Sequence, residues 1–160
     1  MYRGRVVVTL RPMDADEFAR WLPRIRDSYT RDMAVNGGVS EDDAGRKAAA
    51  DTEQLFPADQ LSAGQSVFVI EAGGEDVGEL WVAERQSWRG PELWIYDIHV
   101  EDAHRGHGYG KQAVLLAESE ARRRGLDRVA LNVFGGNEVA RNLYRSLGYG
   151  ENAIVMSKNL

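Results

Sequence analysis

Arg105-Gly106-His107-Gly108-Tyr109-Gly110 joins the apolar run Leu93 to Val100 to a segment in which Ala113, Leu116, Ala117, Glu120 and Ala121 recur at helical spacing. The run before it is rich in aromatic and β-branched residues and reads as a strand, and the segment after it reads as a helix. A glycine-rich turn that opens a helix presents unpaired backbone N–H groups at the positive end of the helix dipole. Glycine also lets the backbone approach a ligand closely and take positive φ without strain. Such a turn suits a phosphate or pyrophosphate. Two common phosphate loops do not fit. A P-loop needs a glycine five residues before Gly110-Lys111 and a Ser or Thr after the lysine, where this chain has Arg105 and Gln112. A dinucleotide fingerprint spaces its glycines two and then three apart at the first strand-to-helix turn. Here the glycines at 106, 108 and 110 are spaced two and two, and roughly a hundred residues precede them.

Composition narrows the setting. At 160 residues, 43% hydrophobic and 28% charged, the chain predicts one globular domain over 1–160 with a proper core. The absence of cysteine excludes disulfides, thiolate catalysis and cysteine-ligated metals, and it suits a reducing compartment. Met1 to Leu10 carries Arg3 and Arg5 but lacks the apolar length of a signal peptide, and no stretch reaches transmembrane length. A cytoplasmic protein with no membrane partner is the expectation. Residues 1–97 hold 18 acidic against 11 basic side chains, and residues 98–160 hold 7 against 9. The negative first part disfavours nucleic acid and attracts a cationic substrate, while the more basic second part suits a polyphosphate. For most of these residues, solubility alone is an equally good account.

Taken in order, Arg5 to Leu10 reads as an opening strand ended by Pro12. Asp14 and Glu17 form a capping box before Phe18, Trp21, Leu22, Ile25 and Tyr29, with Pro23 predicted to kink or divide that helix. Ser40 and Asp43 cap a second helix that stops near Pro57. Val67 to Ala72 and Val77 to Ala83 read as a hairpin turning at Gly73 to Asp76, with Gly78 marking a bulge. A polar connection then leads to the strand Leu93 to Val100. The long helix runs from Tyr109 to Arg124 and is followed by a strand Val129 to Phe134, a helix carrying Val139, Ala140, Leu143 and Leu147, and a closing strand Ala153 to Met156. That order predicts an α/β (α+β) domain with a mixed central β-sheet flanked by helices.

Arg105, Gly108 and Gly110 resemble the Arg/Gln-x-x-Gly-x-Gly/Ala signature of the GNAT superfamily of N-acetyltransferases. Asn137, Ala140, Leu143-Tyr144, Gly148 and Tyr149 are similar to a second pattern of that family at the expected distance. The N-terminal half matches only in layout. The resemblance implies a GNAT-like fold and acetyl-CoA as cosubstrate, with the pyrophosphate held by Arg105, Gly106, His107, Gly108, Tyr109, Gly110 and Lys111. It also implies that backbone N–H groups near Ile98, His99 and Val100 polarise the thioester carbonyl, that Asn137 reaches coenzyme A, and that Tyr144 protonates the departing thiolate. Homodimers are common in that superfamily, but no sequence feature here identifies an interface.

Physical arguments stand beside each of these roles. Asn137 lies at a helix start, where its side chain either caps the helix or bonds a ligand amide. Tyr144 lies two helical turns further on and is otherwise a core aromatic. An alkyl amine with pKa about 10.4 is protonated at neutral pH, so transfer to it needs a base. Asp97 and His99 share one face of their strand, and Glu79 and Glu92 are further candidates, since the family has no fixed base. His99, His104 and His107 lack metal-ligand spacing, and His104 and His107 read as phosphate neighbours or exposed loop residues. Lys111 and Arg141 read as partners of the coenzyme 3′-phosphate or as surface residues. The helices over Phe18 to Leu55 and the strand around Glu79 to Trp81 form the expected acceptor pocket, and Trp21, Tyr29, Trp81, Trp88 and Trp94 line it or fill the core. The activity these features imply is acetyl-CoA-dependent N-acetylation of a primary amine by direct transfer in a ternary complex. A small cationic molecule is the favoured acceptor. A protein N-terminus or lysine is the alternative acceptor, and a non-catalytic acyl-CoA sensor is the alternative class.

Overall fold

The computed structural model describes residues 6–160. Its elements run β1 (Val8–Pro12), α1 (Ala15–Asn36), α2 (Glu41–Leu55), β2 (Gln65–Ala72), β3 (Glu75–Ser87), β4 (Gly90–Val100), α3 (Tyr109–Arg123), β5 (Val129–Leu131) and α4 (Glu138–Ser146). The strands form one sheet in the order β1-β2-β3-β4-β5. It is antiparallel from β1 to β4, and β5 pairs parallel to β4. A parallel pair requires a crossover, and α3 supplies it. The architecture is the mixed α/β class that the order of apolar patterns predicts.

Each face of the sheet has its own core. On one face, Val8, Ile70, Leu80, Leu93 and Ile95 pack with Ala113, Ala117 and Ala121 of α3, whose small side chains let the helix sit close to the strands. On the other, Phe18, Trp21, Leu22 and Ile25 of α1 pack against Phe56, Val67 and Trp81. The Trp21 and Trp81 rings meet edge to face at 5.4 Å, so both are core residues rather than pocket lining. A smaller patch of Met33, Ala44 and Ala48 joins α1 to α2.

The helix signals hold closely. Asp14 accepts from the Glu17 backbone N–H, and the Glu17 carboxylate accepts from that of Asp14, each at 2.8 Å. Ser40 caps α2 through the Asp43 N–H at 3.1 Å. Pro23, however, does not divide α1, which is continuous through it. It forgoes one backbone bond, and the burial of Trp21, Leu22 and Ile25 on either side holds the helix together.

Strand boundaries differ more. The first strand begins at Val8 and includes Pro12, which an edge strand tolerates; Arg5 lies outside the described residues. The expected polar connection after Ala83 is paired instead, with Ser87 opposite Gly90, so β3 and β4 form one long hairpin. β5 ends at Leu131 rather than Phe134. The expected closing strand at Ala153 to Met156 is not formed: Ile154, Val155 and Met156 are 75%, 97% and 89% exposed. Arg141 and Arg145 of α4 hold Glu151 at 2.9 and 2.6 Å, which keeps that segment beside the helix rather than at a sheet edge.

Gly78 sits where β3 comes close to β4. The β2–β3 register shifts beside it, and a Cβ at this position would lie 2.1 Å from the His99 carbonyl oxygen. Gly78→Ala is therefore expected to lower unfolding stability by about 1–3 kcal/mol in urea titration. Gly45, inside α2 with nothing nearer than Thr30 Cγ2 at 4.0 Å, is the opposite case. Gly45→Ala is expected to raise stability by about 0.5–1 kcal/mol.

Candidate active site

The site begins with a change of parity along β4. Leu93 donates its backbone N–H to Arg128 at 2.9 Å, so odd residues there face β5. Glu101 donates to Val77 at 2.9 Å, so odd residues at the far end face β3. The switch requires one extra residue, and the register shows it: Ile95 lies opposite Val82, Asp97 lies opposite Trp81, and Tyr96 is left over. Tyr96 packs on the α1 side, stacked on Trp81 at 4.4 Å, while Ile98 returns to the α3 side. Asp97 and His99 consequently share the α1 face with Glu79, which lies opposite His99. Pairing with β5 ends at Ile95 and Leu131. Past that point, alternation aims the N–H groups of Ile98 and Val100 at an edge that no strand covers among the described residues.

The α1 face at this point is acidic. Asp97 has no hydrogen-bond or ion-pair partner among the described residues. Burial above all, and after it the neighbouring Glu79 and Asp32 carboxylates, push its carboxyl up to about 7. Burial also raises Asp32, on α1. Tyr144 of α4 is raised chiefly by burial and then by the Asp97 charge, which puts phenol and carboxylate in one neighbourhood. Tyr149 anchors this end of α4: its ring lies 5.8 Å from Tyr144, and its hydroxyl donates to Glu118 of α3 at 3.3 Å. Glu92 is not part of this group. It is buried near the β3–β4 turn and takes Arg85 at 2.8 Å, with that guanidinium 3.2 Å from the Trp94 ring centroid. Trp88 is likewise remote, 88% exposed at the hairpin tip.

Beside the open edge lies the glycine loop. Gly106 and Gly108 take φ of 81° and 78°, a region that favours glycine. Gly108 is the N-cap of α3 with no side-chain cap, so the N–H groups of Tyr109, Gly110 and Lys111 have no helical acceptor. Gly110 is where the elements converge, with a Cβ there falling 3.8 Å from Leu143 of α4 and 3.9 Å from Val100. Arg105 fastens the loop to the strand, its Nε donating to the Val100 carbonyl at 3.0 Å and its Nη2 pairing with Asp102 at 2.9 Å. His107 lies 5.5 Å from Tyr109, its Nδ1 3.1 Å from the His104 carbonyl. His107, Gly108, Tyr109, Lys111, Gln112 and Val6 line an open depression of about 370 Å³.

Two expected contacts resolve locally. Asn137 caps α4, its Oδ1 accepting from the Ala140 N–H at 3.2 Å, and its amide donors have no partner among the described residues. Arg141 is engaged by Glu138, Glu151 and the Gly135 carbonyl. The three histidines do not converge. His99 instead meets Glu79 and Glu101, the three ligand atoms within 4.8 Å of one another, but the guanidinium of Arg24 takes that place, 2.6 Å from Glu79 and 3.9 Å from Glu101. Asp32, Arg24 and Glu101 escaped the sequence reading, since nothing in spacing along α1 marks a helix residue that faces β3 and β4, and nothing at the end of β4 marks a residue that meets α1.

The fold is shared with known proteins. Residues 22–149 match the Acetyltransferase (GNAT) family. The chain is 30% identical over 156 residues to the uncharacterized N-acetyltransferase YycN of Bacillus subtilis, covering 97% of this chain and 100% of the relative. The crystal structure of YycN superposes with a TM-score of 0.87 over 96% of this chain and 99% of that one. A second B. subtilis relative, YdgE, is 29% identical over 95% of this chain and 98% of its own length. The aminoglycoside N-acetyltransferase AAC(6')-Iy, solved in complex with CoA, shares the fold with a TM-score of 0.63 at 18% identity, covering 100% of this chain and 98% of that one.

A carboxyl raised in the folded state binds its proton more tightly than in the unfolded chain, so its contribution to stability is greatest at low pH. It falls as pH rises from the ordinary aspartate value, 3.8, to about 7. Asp97→Asn removes that dependence. Across this window the variant is expected to gain stability relative to the parent as pH rises, with no further change above it, measured by urea unfolding at each pH.

Proposed function

The chain belongs to the acetyltransferase (GNAT) family and is an acyltransferase, and from that premise we propose that it transfers the acetyl group of acetyl-CoA directly to a primary amine of a small cationic molecule. The observation that carries the reading is Asp97, an unpartnered carboxyl raised to about 7 that shares its surroundings with Tyr144, beside the edge where β4 and β5 part. A base with that pKa divides its time between the forms that accept and release a proton at neutral pH. Asp97 is preferred over His99 because His99 turns towards Glu101, its Nε2 3.8 Å from that carboxylate.

The residues suited to the cosubstrate are the loop from Arg105 to Lys111, whose positive-φ glycines and uncapped helix start fit a pyrophosphate. Bound there, acetyl-CoA supplies an acyl group activated as a thioester. The outward N–H groups of Ile98 and Val100 would hold the carbonyl oxygen as charge builds on it. One C–N bond forms and the thioester C–S bond breaks. An amine that arrives as an ammonium gives one proton to Asp97 before it attacks. The second nitrogen proton, lost once the C–N bond has formed, goes to Tyr144 as Tyr144 hands its own to the leaving sulfur. This gives the acetamide and free coenzyme A, and Asp97 then returns its proton to solvent. The desolvation that raises Tyr144 also raises a thiolate at the same place, so the second transfer is not penalised by burial alone. Asn137, with its oxygen committed to the α4 cap, offers its amide donors to the cosubstrate. The cysteine-free composition suits the reducing cytoplasm, which we propose as the working compartment.

Calorimetric titration with acetyl-CoA followed by a thiol-release screen over amines tests this reading. Gly108→Glu puts bulk and negative charge in the loop and is expected to abolish acetyl-CoA binding. Tyr144→Phe is expected to keep that binding and lower kcat by about 10²-fold. Acetyl-CoA binding without turnover on any amine would favour the sensor alternative, and no binding would remove the reading. The acidic limb of kcat/KM is expected to fall with an apparent pKa near 7, and Asp97→Asn to remove that limb together with most of the rate, as followed by thiol release across pH.

A further inference from the structure

Glu79 faces inward, its side chain only 13% exposed, yet its partner Arg24 reaches it from α1 with 55% of its own side chain exposed. The same guanidinium lies 3.9 Å from Glu101. A cavity of about 170 Å³ opens here, lined among others by Arg24, Gly78, Glu79 and Glu101. His99 and Asp97 continue the same face of β4, and Asp32 approaches from α1. Four carboxylates, Asp32, Glu79, Asp97 and Glu101, thus share one region with Arg24 as the one guanidinium paired to any of them among the described residues. Asp97, the one with the carboxyl most raised by burial, has no partner among the described residues.

We infer that the acceptor carries two cationic nitrogens: the reacting amine seats at Asp97, and the second displaces Arg24 from between Glu79 and Glu101. This deepens the acetyl-transfer reading above and rests on it. The geometry supplies three reasons. The Arg24 guanidinium already shows that a cation fits between these two carboxylates. Its side chain is half exposed on a helix surface, so it can swing into water, where a guanidinium is well solvated, without disturbing the core. Glu79 is also a diagonal neighbour of Asp97 across the antiparallel pair, roughly 7–8 Å away at the backbone, so a short alkyl chain can reach from Asp97 to the Glu79 carboxylate. A monoamine would fill the first seat and leave Arg24 in place. A diamine fills both and gains the second ion pair in exchange for a solvated arginine. The reaction is unchanged: only the amine at Asp97 forms the new C–N bond.

The test compares kcat/KM for linear alkylamines and α,ω-diaminoalkanes of matched length, by thiol release at saturating acetyl-CoA. Diamines of one preferred length are expected to exceed their monoamine counterparts about tenfold or more. In Glu79→Gln and in the more exposed Glu101→Gln, the diamine-to-monoamine ratio is expected to fall towards one. Calorimetry supplies a readout independent of turnover. With coenzyme A bound, Arg24→Gln is expected to bind the preferred diamine several-fold more tightly, because the competing cation is gone. Equal kcat/KM for the two amine series, or unchanged diamine affinity in Arg24→Gln, would overturn this inference while leaving acetyl transfer standing. Acetyl-CoA binding with no amine acetylated, and no diamine bound, would overturn both.

Discussion

One extra residue in β4 sets the geometry on which the site depends. Without the bulge at Tyr96, alternation from Leu93 would continue unbroken. Asp97 would then face α3 and the alanine-packed core, where an unpartnered carboxyl is costly, and Ile98 would face the acidic side. With the bulge, Ile98 completes the α3 core while Asp97 and His99 join Glu79 on the α1 face. The same irregularity changes which backbone N–H groups look towards β5, just as β5 stops. A single backbone event therefore aims the acidic side chains one way and the free amide groups another.

Close approach of neighbouring segments protects that arrangement. Gly78 admits the His99 carbonyl into space that any Cβ would occupy, so β3 and β4 stay paired up to the site. Arg105 ties the loop to the end of β4 through the Val100 carbonyl, and Gly110 leaves room for Leu143. Strand, loop and α4 are thus registered by small contacts at their ends rather than by a shared deep core. No residue after Leu126 is buried, which distinguishes this end of the molecule from the two cores that hold the sheet. A place for a large flexible ligand between β4 and α4 is consistent with that looser packing.

The electrostatics follow from burial without compensation. Glu17, held by Arg11 and its own capping box, is lowered to about 2, whereas Asp97, held by nothing, rises to about 7. Both are carboxyl groups with similar ordinary values. Their difference arises from partners, and the partner that Asp97 lacks is the cation an amine acceptor would bring. Arg24 illustrates the same demand one step outward, where the structure meets it with a side chain of its own.

Much of this was legible in residue order. The Asp14–Glu17 box, the Ser40 cap, the glycine loop and the succession of apolar periods are local, because each depends on residues within a few positions along the chain. They determined the α/β class, the loop that starts α3, and the placing of Asp97 and His99 on one face. Tertiary structure decided the rest. Whether Glu92 was a base depended on Arg85 across the hairpin, and whether Arg141 was free depended on Glu151. Whether Ala153 to Met156 formed a strand depended on a sheet edge to receive it, and Pro23 stayed inside one helix because buried neighbours outweighed the lost bond. The extra residue at Tyr96, the meeting of Arg24 with Glu79, and the isolation of Asp97 all arise between segments distant in sequence. Local periodicity carries no trace of such pairings, because the energies that select them exist only once the segments pack together.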